Sequence, residues 1–420
     1  MSLTHPIPLM AYETTMPEVL LDRRTTSLLR EHRYPPRIVA WDGSELWRET
    51  SYTRVSPLGG SCPYCLKEFD HHLWVFERPF YEECQPMADW QTHFYPSCNN
   101  LHEVEVVSSE LVSLQGSWRS VWTVPSGEGD GKVVLKMLKF EKREFDHESY
   151  AYHTVDARVM ERLTSSPYVV DIYGFCGQSV LTEYATGNAR MLLKSPRFSN
   201  RERLKLAYSL VRALEDLHSV DYPESSNATI GHNDINIANA VDVDGQIKLN
   251  DFNLSVLMRW NGTQPCGYPV RFERKMWQAP EECLNTSYVD PAQSDMYSLG
   301  NLLFQVLTTR QPWTHLEPNG PLNKTQVFEL KKQAAMPFVP EEFLETEDLS
   351  LRAVREAMYA CYRFDPLDRP TSYELATGLM QAIRWSMNST LAATISDEAL
   401  KSLFTRTGPF TGAYSTHALR

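Results

Sequence analysis

No run of apolar residues in this chain approaches the roughly 18 that a membrane helix needs, so no membrane span is expected. The opening stretch, MSLTHPIPLMAYETTMPEVLLDRR, also lacks the basic region followed by an apolar segment that marks a secretory leader. Positive charge is in the minority: 41 Lys and Arg against 53 Asp and Glu leave a net charge of −12. That balance argues against general affinity for anionic surfaces, and no nucleic-acid polymer is expected as a partner. What is present is ordinary for a globular protein, with 42% hydrophobic and 22% charged residues. A chain of 420 residues suits one large two-lobed domain with an extension, or about two to three average domains.

Taken as it stands, the sequence reads as soluble and intracellular. Two features point the other way. The eight Cys are an even number, and N-x-S/T sequons occur at Asn227, Asn253, Asn261, Asn285, Asn323 and Asn388, where chance predicts roughly two. The excess suits a lumenal or secreted protein whose leader precedes this sequence, and the compartment stays open. Residues 1–104 hold AWDGSELWRE, Cys62-Pro63-Tyr64-Cys65, His71-His72, Cys84 and Tyr95-Pro96-Ser97-Cys98. So aromatic a segment is expected to be an ordered extension rather than a disordered tail. Cys62 and Cys65 have the spacing of half a zinc site, but a second tight pair is lacking. Zinc binding, disulfides such as Cys84 with Cys98, and free, partly buried thiols all stay open.

From Glu105 the pattern turns to short β segments, at 106–107, 111–114, 121–124 and 133–135, with PSGEGDG at 125–131 as a turn. Residues 147–163 have a helical period that places Tyr152, Val155, Val159, Met160 and Leu163 on one face. Ser199-Asn200-Arg201-Glu202 offers a capping box for a helix carrying Leu204, Ala207, Leu210, Val211, Leu214 and Leu217. From about residue 386 the chain reads as a tail with at most one short helix.

The chemistry is concentrated in residues 232–253, HNDINIANAVDVDGQIKLNDFN. Asp244-Gly245 between two strand-like arms is a dipeptide that tight hairpins favour, because it tolerates positive φ. Such a hairpin brings Asp234, Asn239 and Asp251 to one end. Oxygen-bearing side chains held together in this way can accept a proton from a hydroxyl and bind hard divalent cations. The stretch resembles the catalytic loop and metal-binding triplet of the protein kinase superfamily, written H-R-D-x-x-x-x-N and D-F-G. Trp277-Gln278-Ala279-Pro280-Glu281, Asp295-Met296-Tyr297-Ser298-Leu299-Gly300 and Asp365-Pro366-Leu367-Asp368-Arg369-Pro370 resemble three later motifs of that family.

The resemblance implies an α+β, bilobal fold with a small β-rich lobe and a larger helical one. It places a kinase domain at 105–385, between an extension at 1–104 and a tail at 386–420. ATP and magnesium are the implied cofactors, and a protein the implied substrate. Asp234 would accept the proton of the substrate hydroxyl, while Asn239 and Asp251 would hold magnesium. Lys136, in Val133-Val134-Leu135-Lys136, would hold the α and β phosphates, and Asp156 would be its ion-pair partner on a helix. Gly116 and Val121 would belong to the phosphate-covering loop, Thr182 would be the gatekeeper, and the backbone of Glu183 and Ala185 would bond adenine. Glu281 would pair with Arg369, and Asp295 would brace the catalytic loop.

Several positions depart from the pattern. Gly116 alone remains of three loop glycines, and Arg119 stands where the third would be, able to compensate if it reaches a phosphate. Asp156 is one methylene shorter than the family's Glu. Asn233 replaces the Arg that reads a phosphate on the activation segment, so that mode of control loses its usual receptor. Asn253 after Asp251-Phe252 is a mild change, since Asn accepts positive φ. Asn236 and Ala238 leave the hydroxyl class open, with Ser or Thr expected ahead of Tyr. Three functions follow: an ATP-dependent protein kinase, a pseudokinase scaffold binding nucleotide weakly or not at all, or a secretory-pathway kinase acting on a glycan or secreted protein. The sequence does not set the oligomeric state.

Overall fold

The structure, a computed structural model, describes residues 85–91, 98–102, 104, 109–113, 118–126, 131–139, 147–220, 228–261, 265–268, 276–284, 289–316 and 320–406. The chain divides into two units, Met1–Leu66 and Lys67–Arg420, and every described residue belongs to the second. That unit has the expected α+β organisation, a sheet-rich N-terminal part followed by a helical part.

Five antiparallel strands form the sheet: β1 (Glu110–Ser113), β2 (Arg119–Pro125), β3 (Lys132–Leu138), β4 (Ile172–Cys176) and β5 (Ser179–Glu183). Their spatial order is β1-β2-β3-β5-β4. Val121 lies opposite Lys136 and Arg119 opposite Leu138 across β2 and β3. Because side chains alternate along a strand and opposed residues share a side, Arg119, Val121 and Lys136 project from one face.

Between β3 and β4 runs helix α1 (His147–Arg162). Tyr152, Val155, Val159, Met160 and Leu163 are buried as their spacing predicted. The burial, however, continues all round the helix from residue 151 to 160. Residues 85–91 account for this by covering its other side. There Arg158 donates to the Gln91 carbonyl, and the Arg162 guanidinium lies 5.8 Å over the Trp90 ring. Gln91 in turn donates to the Met258 carbonyl at 3.1 Å, and Gln85–Pro86 pairs with Arg259–Trp260.

The short helix Cys98–His102 packs on β4 and is tied to it by a Cys98–Cys176 disulfide, with Cα atoms 4.7 Å apart. Asn100 also donates to the Tyr173 carbonyl. Of the alternatives left open for Cys98, a disulfide is the one made, but with Cys176 and not Cys84, a partner 78 positions away that local spacing cannot reveal. Cys266 is disulfide-bonded as well, whereas Cys283 and Cys361 are buried and outside any disulfide. Cys62, Cys65, His71, His72 and the expected strand at 106–107 lie outside the described residues. Among the described residues no three His, Cys, Asp or Glu side chains gather to hold a metal, and no helix is long and apolar enough to cross a membrane.

The helical part begins with α2 (Asn200–His218), whose predicted capping box is formed: Glu202 N–H donates to Ser199 Oγ at 3.3 Å and Ser199 N–H to Glu202 Oε2 at 2.6 Å. Its apolar stripe packs on α5 (Leu349–Cys361) and α6 (Ser372–Ser386), with α3 (Pro280–Cys283) and the almost wholly buried α4 (Pro291–Thr308) between them in sequence. Where at most one short helix was expected after residue 386, two form, Ser389–Ala392 and α7 (Asp397–Leu403). Leu400 and Phe404, four residues apart and thus on one helical face, are buried. The Phe404 ring lies over Gly378, where a Cβ would come within 2.7 Å of it.

Cross-linking positions 78 apart chiefly restricts the unfolded chain. The double variant Cys98→Ser/Cys176→Ser is expected to lose about 2–4 kcal/mol of stability. The measurement is a fall in urea midpoint, with a steeper slope because the released unfolded chain exposes more surface; an unmoved midpoint would contradict the cross-link.

Candidate active site

Strands β6 (Ala240–Val243) and β7 (Gln246–Leu249) pair through a two-residue turn. Asp244 at φ 51° and Gly245 at φ 86° both take the left-handed conformation that Asp-Gly permits. The hairpin draws its two flanking segments together, with Asn250 N–H donating to the Asn239 carbonyl at 2.9 Å. Asn239 Nδ2 donates to the Asp234 carbonyl at 2.9 Å and to Asp234 Oδ2 at 3.2 Å. Asp295 fixes the same loop by accepting from the backbone N–H groups of His232 at 2.5 Å and Asn233 at 2.7 Å. Nearby, Glu281 and the buried Arg369 form a two-bond pair at 2.7 and 2.8 Å. An ion pair so buried survives only when both partners are present.

Asp251 has φ 65°, a costly conformation for a residue other than Gly and one that concentrates at functional sites. Its carboxyl makes no hydrogen bond or ion pair among the described residues. Burial first, and then the Asp156 carboxylate, push its pKa above the usual carboxylate range, with Asp234 adding to the rise. A carboxylate in that position is stabilised by a cation. The donors at hand, the Asp251 carboxyl and the Asn239 amide oxygen, are hard oxygen ligands, which fit magnesium. Next to it Phe252 is fully buried against the His232 ring, with centroids 5.0 Å apart.

From the sheet, Lys136 reaches across to Asn250 Oδ1 at 2.8 Å, beside Asp251. Burial lowers the pKa of its ammonium, while the Asp156 and Asp251 carboxylates oppose the change. The expected ion pair of Lys136 with Asp156 is not made as a contact. Instead Asp156 Oδ2 binds the Arg119 guanidinium, and Asp156 Oδ1 accepts the Phe252 N–H at 2.8 Å. The reason is reach: the acid is a methylene short, and Arg119, longer than Lys and on the same face of the sheet, closes the gap. Arg119 thus turns inward, with a side chain only 6% exposed, rather than toward a phosphate.

Val121 faces Lys136 from the neighbouring strand. Thr182 is buried near the end of β5. The Glu183 N–H is occupied by the Asp171 carbonyl at 3.1 Å and its carboxylate by Lys248 at 2.7 Å, while its carbonyl accepts from the Thr182 hydroxyl at 3.3 Å. Ala185 follows two residues past the strand, and Gly116 lies outside the described residues.

One functional contact left no motif in the sequence. Asn233, at φ 61°, accepts from the Tyr268 hydroxyl at 2.5 Å and donates through Nδ2 to the Leu254 carbonyl at 3.3 Å. A neutral hydrogen bond to a buried tyrosine thus joins this loop to the segment after Asp251, at the position where the resemblance expects an Arg and a phosphate. Asn253 is buried in the same region, which rules out that sequon as a glycan site.

A family model described as the protein kinase domain matches residues 115–382. The dual specificity protein kinase shkD of Dictyostelium discoideum is 26% identical over 277 residues, covering 62% of this chain and 32% of the relative. The probable serine/threonine-protein kinase SIS8 of Arabidopsis thaliana is 26% identical over 296 residues, covering 67% of this chain and 26% of the relative. Human tyrosine-protein kinase ABL2 is 27% identical over 248 residues, covering 58% and 19%. The chain spans about a third of the length of the first and less of the other two.

Behind this cluster His153 is fully buried. With Gln178 Oε1 accepting the Tyr150 N–H at 3.0 Å, the Gln178 amide nitrogen donates to His153 Nδ1, which fixes a neutral ring. Burial first, then the Arg119 charge, depress its pKa to about 3. The unfolded chain binds this proton near pH 6.5 and the folded chain does not, so stability falls as pH drops below about 6.5. The expected loss from this group is about 2 kcal/mol by pH 5. Urea unfolding at pH 7 and pH 5 measures it, and His153→Gln is expected to flatten the dependence; an equal slope in both proteins would contradict it.

Proposed function

The chain belongs to the protein kinase family, and on that premise we propose that it is an active kinase transferring the γ-phosphoryl group of ATP to a protein hydroxyl, Ser or Thr ahead of Tyr. The observation that carries this reading is the meeting of Lys136 with Asn250, which sets a cation from the sheet beside an Asp251 carboxyl that no group among the described residues bonds. Asp234 accepts the proton of the acceptor hydroxyl, with its direction held by Asn239. Lys136 binds the α and β phosphates, Val121 and Gly116 cover them, and Glu183 and Ala185 offer backbone groups to adenine beside Thr182. Asn239 and Asp251 hold magnesium, which when bound neutralises charge on the transferring phosphate. Positioning and charge neutralisation carry the catalysis, and no covalent intermediate is needed. The kinase domain is proposed to run over 105–385.

A second reading is favoured by the disulfides at Cys98–Cys176 and Cys266, which belong to oxidising compartments. It is a kinase of the secretory pathway acting on a secreted protein or a glycan. A pseudokinase scaffold is favoured by the separation of Lys136 from Asp156 and by the single loop glycine.

Transfer of labelled phosphate to a generic protein substrate is expected, and Asp234→Asn is expected to lower it by about a hundredfold or more. Millimolar ATP with magnesium is expected to raise Tm in both proteins, since a ligand of the folded state stabilises it. Equal transfer by both proteins rejects the role of Asp234, and no transfer with no Tm shift selects the scaffold. Phosphoamino-acid analysis of the product decides the hydroxyl class.

A further inference from the structure

We propose that Arg119 is a positioning residue that anchors α1 to the nucleotide site. It thereby takes over the tie that the resemblance assigned to Lys136 and leaves Lys136 to the phosphates and Asp251. For its effect on turnover this rests on the kinase reading; for its effect on the structure it does not.

Asp156 is fully buried, and both of its oxygens are engaged, one by Arg119 and the other by the Phe252 N–H. A buried carboxylate without a bonded cation is costly, and Arg119 is the cation in contact with it. Lys136 instead bonds Asn250. The geometry follows from the strand register. Arg119 lies two residues, about 7 Å, along β2 from the position opposite Lys136, on the same face. A shorter acid on the helix is thus matched by a longer base on the sheet. The glycine that the family places at 119 could make no such bond, so the departures at 119 and 156 are one paired change. Through Asp156, Arg119 also holds the Phe252 backbone, and with it the position of Asp251.

The test uses the full chain. Arg119→Met is expected to lower kcat about tenfold or more while KM for ATP moves less than about threefold, because the groups that bind ATP are left in place. Arg119→Lys, which retains one charge for Asp156, is expected to recover most of the loss and supplies the comparison should the Met variant fold poorly. Lys136→Met is expected to raise KM for ATP. Arg119→Met combined with Asp156→Asn is expected to be no worse than the poorer single variant, whereas Lys136→Met adds to either. Unaltered kcat in Arg119→Met, or coupling of Asp156 to Lys136 and not to Arg119, overturns the proposal.

A readout that needs no activity is amide hydrogen exchange. Arg119→Met is expected to speed exchange in α1 and at Phe252 by about tenfold or more, and Lys136→Met is not. The reverse pattern overturns the proposal. If the unaltered chain transfers no phosphate, the kinase reading fails while the exchange comparison still decides the part played by Arg119.

Discussion

The structure of this site depends on the occupancy of one buried carboxylate. Asp156 has no exposure, and each of its oxygens serves a different part of the chain, Oδ2 the strand that carries Arg119 and Oδ1 the backbone at Phe252. Sheet, helix and the Asp251–Asn253 segment are therefore held by a single acid. Desolvation alone would drive that acid to its neutral form, but the Arg119 and Lys136 charges and the bonds it accepts lower its pKa. A charged Asp156 in turn keeps two cations close to Asp251, whose own carboxyl makes no hydrogen bond or ion pair among the described residues. The cluster is thus balanced by position rather than by complete mutual pairing.

Two further ties hold the same geometry. Residues 85–91 cover the face of α1 away from the sheet, and Gln91 links that cover to the Met258 carbonyl, in the segment that follows Asp251. The Tyr268 hydroxyl closes on Asn233 where a phosphate-reading Arg is absent. The Cys98–Cys176 link fastens the short helix Cys98–His102 to β4.

Much of this was legible in the chain. The hairpin at Asp244-Gly245, the capping box at Ser199 and the buried stripes of α1 and α2 are local, set by φ preferences and by periods of two and 3.6 residues, and the structure has them where the sequence placed them. The Glu281–Arg369 pair and the bracing by Asp295 were legible through motif resemblance. At Arg119 the signal is subtler: its position two residues before Val121 puts it on the face of Lys136, and an acid one methylene short at Asp156 suits a longer base.

The strands and helices that carry the candidate site and the bilobal α+β class were determined by the sequence itself, because composition, period and turn chemistry act over a few neighbours. Which cation meets Asp156, which cysteine meets Cys98, what covers the outer side of α1 and which hydroxyl takes the place of a phosphate at Asn233 were decided only by the tertiary structure. Each of these is a contact between positions far apart in the chain, where reach and burial on three or more packed elements select one partner among several of equal chemical fitness.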